Sequence, residues 1–191
     1  MQVVDVGCGT GLLAREALAI VCADGAQGSL VGVDPSPGMM AQVHAKGPLP
    51  ASARFVEGRA ERLPLPDASA DFLCMGYALR HIDDLEPAFA EFLRVLRPGG
   101  RLLMLEITRP ESRVGLAALR LYMRFVVPLL ARVVARRSDT PRLYRYYWDT
   151  VEACVTPAEV LGALRGTGFT AAQRHVELRI FSEYTAVAPA R

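Results

Sequence analysis

A chain of 191 residues can build one domain-sized core and leaves little room for a second. Hydrophobic residues make up 51% and charged residues 22%, which excludes a disordered chain; the four cysteines (Cys8, Cys22, Cys74 and Cys154) form no CxxC pair, which argues against a zinc site and a secreted disulfide framework. The net charge of +2 hides an uneven distribution, because residues 1–106 carry 13 acids and 9 bases whereas residues 107–147 carry nine arginines and two acids.

In chain order, Gln2–Val6 reads as a buried strand, followed by glycines and a helix from about Thr10 to Cys22. Ser29–Val33 is a second strand ending at Asp34, followed by a helix over about Ser36–Ala45. Ala53–Glu57 and Ala70–Met75 are strands three and four. Leu85–Leu96 is a helix stopped by Pro98-Gly99-Gly100, and Arg101–Ile107 is strand five. Strands separated by helices imply right-handed crossovers and a parallel sheet covered on both faces. The pattern then changes. Val114–Ala135 is a long apolar helical segment, with Arg113, Arg120 and Arg124 on one narrow arc, and Leu143–Val151 is rich in aromatics. Thr156 caps a helix that starts at Pro157, carries Glu159 in its first turn and ends near Arg165. Arg174–Ile180 and Glu183–Ala188 close the chain as an antiparallel hairpin. The expected fold is α/β, a doubly wound, mostly parallel, Rossmann-like sheet with that hairpin at its C-terminal end. It forms one domain over residues 1–191, with 108–155 as a helical insertion that caps the substrate.

The strongest local motif is Asp5-Val6-Gly7-Cys8-Gly9-Thr10-Gly11. Gly7 and Gly9 allow a tight turn and close approach to a ligand, and Gly11 allows close packing where the helix begins. The spacing is GxGxG, not the GxGxxG of the dinucleotide fingerprint. Asp34 ends strand two, where a carboxylate about twenty residues beyond such a loop accepts ribose hydroxyls. Together they point to a cofactor containing adenosine. Asp5 sits below the loop, to receive an amino group of the cofactor or to orient the loop's N–H groups.

The chain resembles class I methyltransferases that use S-adenosylmethionine, and more narrowly the C-methyltransferases of ubiquinone and menaquinone biosynthesis. The matching pieces run along nearly its whole length: VVDVGCGTG, VGVDPSPGMM, EGRAERLPLPDASADF, YALRHIDD, RVLRPGGRLLMLEITRP, FVVPLLARVV and YRYYWDTVEACVTPAEVLGALRGTGF. The first pieces and the PGG turn are shared by many methyltransferases. The LR pair after strand four, the LE-x-x-x-P sequence and the YRYYWD block are particular to the quinone group. The resemblance implies S-adenosylmethionine on Gly7, Gly9 and Gly11 with its ribose on Asp34. Cys8, Pro35, Met39 and Gly76 complete that set, as do Arg59, which stands where relatives often place an acid for the adenine, and Ala60, which follows it; the backbone of Gly58 to Ala60 can serve in place of that acid. Met39 and Met40 either face the adenine or pack their helix.

Arg80 and His81 follow strand four at the crevice. Arg80 is the candidate to stabilise a phenolate, or else pairs with Asp83 or Asp84. His81 stands where the quinone group usually carries asparagine, and is a general base or a surface histidine. No metal is expected, because alignment of nucleophile, carbon and sulfur supplies most of the catalysis. The expected acceptor is a small aromatic, most simply a quinol precursor methylated on carbon. The alternatives are O-, N- or C-methylation of a secondary metabolite or sugar, a dinucleotide oxidoreductase, and a scaffold that binds the cofactor without catalysis. No nucleic-acid partner is expected. The apolar, arginine-lined segment suggests peripheral contact with a membrane. Similar proteins carry several dozen residues before strand one, forming lid helices that this sequence lacks, so exposed apolar surface is expected, and with it aggregation, a homodimer, or activity only in an extended chain. No signal peptide opens the chain, and Arg120, Arg124, Pro128 and Arg132 interrupt its most apolar stretch, so the expected location is cytoplasmic.

Overall fold

The near-continuous apolar runs of the first strands demand cover on both faces, and the computed structural model, which describes residues 1–23, 27–47, 50–108, 113–126, 150 and 154–190, supplies it. Strands β1 (Gln2–Val6), β2 (Ser29–Asp34), β3 (Ala53–Glu57), β4 (Ala70–Gly76), β5 (Leu96–Ile107), β6 (Thr170–Glu177) and β7 (Phe181–Val187) form one sheet. Its order is β3-β2-β1-β4-β5-β7-β6. β1 to β5 run parallel, and β7 pairs antiparallel with both β5 and β6.

The helices follow from their caps and apolar spacing. α1 (Leu12–Val21) buries Ala14, Leu18 and Val21, which share one face. Ser36 caps α2 (Pro37–Ala45) through the Met39 N–H, and Asp84 caps α3 (Leu85–Val95) through the Glu86 N–H. α4 (Arg113–Leu121) continues as a π-turn over Tyr122–Val126. α5 (Pro157–Gly166) begins with a complete capping box between Thr156 and Glu159. Phe89, Phe92, Val160 and Leu164 pack with Leu73, Met75 and Tyr184 into the larger core, while Ala14, Leu18 and Val21 meet Val3, Leu30 and Cys74 on the other side.

Several boundaries differ from the sequence expectation. α3 ends at Val95, so Leu96 is not helical. β5 starts there and carries Pro98-Gly99-Gly100 as an irregularity inside it, because the Gly99 N–H and the Gly100 carbonyl bond Ala188, the residue just past β7. The hairpin lies earlier than expected. Its turn is at Leu178–Arg179, where both residues adopt left-handed backbone despite lacking turn chemistry. Of the apolar stretch Val114–Ala135, the part through Val126 is helical; residues 127–135, like most of the Leu143–Val151 block, lie outside the described residues. Among the described residues, no helix is long and apolar enough to cross a membrane.

Candidate active site

The winding direction reverses between β1 and β4, and at such a point the C-terminal ends of adjacent strands leave a crevice. The loop after β1 forms one wall. The Gly7 and Cys8 N–H groups both donate to the Val33 carbonyl, at 2.8 and 3.1 Å, which ties the loop to β2. Gly7 has φ +69, and a Cβ there would lie 2.5 Å from that of Ala78, so its bare backbone lets the loops after β1 and β4 touch. Gly9 has φ +53 and faces open space, so its requirement is conformational and leaves a cradle for a ligand.

Asp34 is 8% exposed at the end of β2. Its Oδ2 accepts the Gly9 N–H at 2.8 Å and its Oδ1 the Ser36 N–H at 2.9 Å. Each oxygen keeps a further lone pair, so the carboxylate is fixed in place and can still accept two hydroxyls of a vicinal diol. These residues open on a cleft of about 490 Å³. Pro35, Ser36 and Met39 continue the wall from β2, Gly58 to Glu61 come from the loop after β3, and Gly76, Tyr77, Ala78, His81 and Ile82 form the opposite side. Arg59 stands at the rim, 3.5 Å from Glu61 and 3.7 Å from Asp83, linking the two sides.

Residues 4–104 match the family model described as a methyltransferase domain. The chain belongs to this methyltransferase family. The demethylmenaquinone methyltransferase of Deinococcus radiodurans is 37% identical over 169 residues, covering 88% of this chain and 67% of that protein. The ubiquinone/menaquinone biosynthesis C-methyltransferase of Stutzerimonas stutzeri is 30% identical over 178 residues, covering 91% of this chain and 67% of the relative. A solved structure of an S-adenosylmethionine-dependent methyltransferase from Aquifex aeolicus superposes with a TM-score of 0.68 at 17% identity, over 98% of this chain and 82% of that one, which speaks to the fold.

In this methyltransferase the expected cofactor residues fall into two layers. Gly7, Gly9, Asp34, Pro35, Met39, Arg59, Ala60 and Gly76 line the cleft. Asp5, Cys8 and Gly11 do not. Gly11 caps α1 against Val43. Cys8 is buried under the loop, where burial and then the Asp5 and Asp34 charges hold its thiol above the ordinary range. Asp5 has no exposed surface, so it meets neither the cleft nor a ligand amino group directly. Burial pushes its carboxyl up to about 7 against a weak bond from the Cys74 thiol, with Asp34 adding repulsion, and its Oδ2 has no hydrogen-bond partner among the described residues.

The two catalytic candidates separate as well. His81 lines the cleft, and partial burial followed by the Arg80 charge lowers its pKa, so the imidazole is neutral at pH 7. Arg80 lies one layer behind. Its side chain is 7% exposed, and its Nη1 is 2.7 Å from Oε1 of Glu106, which is 0% exposed. Its partner is therefore Glu106 and not Asp83 or Asp84. Glu106 also accepts the Arg80 backbone N–H at 3.2 Å and the Ile107 N–H at 2.7 Å, fastening the turn over Leu79–His81 to β5. Sequence reasoning assigned no role to Glu106, although LE-x-x-x-P contains it. Nor do the sequence patterns give a role to Ser36, Tyr77 or Ala78, although the position of Tyr77 and Ala78 directly after β4 is an available signal. Among the described residues, no group of three or more His, Cys, Asp or Glu side chains is placed to hold a metal ion.

Proposed function

We propose that this methyltransferase binds S-adenosylmethionine in the cleft and methylates a ring carbon of a reduced quinone precursor. The observation that carries the cofactor half is Asp34, held by the Gly9 and Ser36 N–H groups with lone pairs to spare beside a cradle that only glycine backbone leaves open. When bound, the cofactor supplies a methyl group activated on a sulfonium. Asp34 takes the ribose hydroxyls, Met39 and the Gly58–Ala60 backbone border the adenine, and Gly7 and Gly9 let the chain approach closely. The acceptor half rests on the activities named for the Deinococcus and Stutzerimonas relatives. A hydroquinone carbon becomes nucleophilic as its neighbouring hydroxyl, with an ordinary pKa of about 10, loses its proton. Neutral His81 is the base that receives that proton on a ring nitrogen. Arg80 and Glu106 hold the His81 turn in place, and the Arg80 charge favours the developing phenolate from behind the wall.

The chain works as one domain in which residues 108–155 cap the acceptor. α4 follows β5 at the cleft end of the sheet and exposes Val114, Leu121 and Phe125 beside Arg120 and Arg124. An apolar tail lies along that segment, and the arginines meet anionic lipid headgroups, a peripheral contact without insertion. The test is transfer of labelled methyl from S-adenosylmethionine to a reduced short-chain quinone, compared with catechol, sugar and amine acceptors, with the methylated atom located by NMR. Methyl on a ring carbon of the quinol is expected. Methyl on oxygen or nitrogen, or preference for a non-quinol acceptor, rejects the acceptor while leaving methyl transfer standing.

A further inference from the structure

Five non-glycine residues have positive φ among the described residues, and Tyr77 is the one that lines the cleft. Its φ is +58, a conformation that bulky L-residues avoid. Sequence offers no local reason for it, since glycine or asparagine fills such a position without strain. The surroundings enforce it. The Tyr77 N–H donates to the Leu105 carbonyl at 2.8 Å, so its backbone is pinned to β5 where β4 ends. Three residues later, Glu106 grips Arg80 through both its backbone N–H and its guanidinium. Between these anchors, Ala78 presses against the bare Gly7 backbone. The chain cannot relax on either side, and the result is a tyrosine, 42% exposed as a residue, on the wall between Gly76 and His81. A strained backbone that persists in a binding cleft, carrying a side chain only partly packed, is the pattern of a residue kept for its contact with a ligand.

We infer that Tyr77 is a further acceptor-contacting residue of this site, its ring forming the surface on which an aromatic acceptor lies beside His81. Ring-on-ring packing in offset or tilted geometry fixes the plane of the acceptor and therefore which carbon meets the methyl group. Glu106 is then a positioning residue, acting on Tyr77 and His81 through Arg80. The inference rests on the reading of the cleft as a site of methyl transfer to an aromatic ring.

The experiment compares wild-type protein with Tyr77→Phe, Tyr77→Ala and Tyr77→Asn, measuring melting temperature, S-adenosylhomocysteine affinity by calorimetry, and kcat and KM for a reduced short-chain quinone. Tyr77→Asn relieves the strain, so it should melt at or up to about 4 °C above the wild type. Tyr77→Ala and Tyr77→Asn should raise KM for the quinol roughly tenfold, while homocysteine-product affinity moves less than about threefold; Tyr77→Phe should recover most of the loss. Unchanged KM and kcat in Tyr77→Ala, with an active wild type, overturns the inference and leaves the proposed function intact. Melting of Tyr77→Asn well below the wild type overturns it too, by marking the ring as a packing element. A wild type that methylates no quinol rejects the proposed acceptor, and the inference is then overturned with respect to an aromatic ring if S-adenosylhomocysteine-loaded wild type and Tyr77→Ala bind that quinol equally.

Discussion

Replacing Asp5 with asparagine should make the protein more stable at neutral pH and remove most of the pH dependence that this carboxyl creates. Asp5 is fully buried beneath the glycine loop, near Cys8, Cys74 and Asp34, and its pKa rises from an ordinary 3.8 to about 7. The sign follows from proton counting. Between these two values the folded chain keeps the proton that the unfolded chain has released, so stability falls as pH rises, by about 1.4 kcal/mol per pH unit. Below about pH 4 there is no penalty, and above about pH 7 it is complete, on the order of 4 kcal/mol. Asparagine is nearly isosteric and cannot ionise. Its amide leaves two N–H donors unpaired where Oδ2 has no partner, against the single hydroxyl of the protonated acid, so the wild type should be at least as stable as the variant below about pH 4 and should fall behind it as pH rises. Urea denaturation of both between pH 5 and 8 isolates the effect, because all other titrating groups cancel in the difference. The gap should open steadily to pH 7 and then level off. Parallel curves would show that Asp5 ionises in the folded protein as it does in the unfolded chain, and would refute the argument.

Asp34→Asn leaves one of the Gly9 and Ser36 N–H groups without an acceptor and removes charge from the diol site, so S-adenosylhomocysteine affinity should fall roughly 10- to 100-fold by calorimetry; an unchanged affinity, or tighter binding of NAD by the wild type, contradicts the cofactor assignment. In the β6–β7 turn, Leu178 and Arg179 have φ +48 and +63, and Leu178 is 81% exposed, so Leu178→Asn with Arg179→Gly should add about 1–3 kcal/mol of stability in thermal or urea unfolding without altering cofactor affinity.

Legibility in the sequence followed the distance over which a feature is specified. The glycine loop, Asp34 and the Thr156 capping box are local patterns, and each takes the position its spacing implied. The alternation of strands and helices led to the parallel sheet for the same reason. The partner of Arg80 was not legible, because Asp83 and Asp84 are close along the chain whereas Glu106 is 26 residues away. It meets Arg80 only because Gly76 and Leu105 are paired between β4 and β5. The left-handed backbone of Tyr77 and of Leu178–Arg179 left no trace in residue type, since tertiary anchors and strand pairing impose it against local preference. The sequence places Asp5 below the loop, but its complete burial is hidden there, because the packing around Cys74 decides it.

The two sides of the cleft are built from different materials, and this bears on how acceptor choice can vary within the family. The side proposed to hold the cofactor consists of main-chain N–H groups, glycine backbone and one carboxylate whose position those N–H groups dictate. Almost any substitution there strains the backbone or strands a buried polar group. The other side consists of side chains, Tyr77 and His81, on a short turn whose backbone is held from behind by Glu106 and Leu105. Those side chains can change without disturbing the clamp, because the clamp grips Arg80 and main-chain atoms. His81, standing where the quinone enzymes it resembles usually carry asparagine, is such a change. It alters the proton-accepting capacity of the wall while Asp34 and the turn geometry stay as they are. A clamp made of main-chain atoms, with exchangeable side chains in front of it, lets the proposed cofactor site serve different acceptors, so under that proposal the acceptor is read from the pair Tyr77 and His81 rather than from the glycine motif.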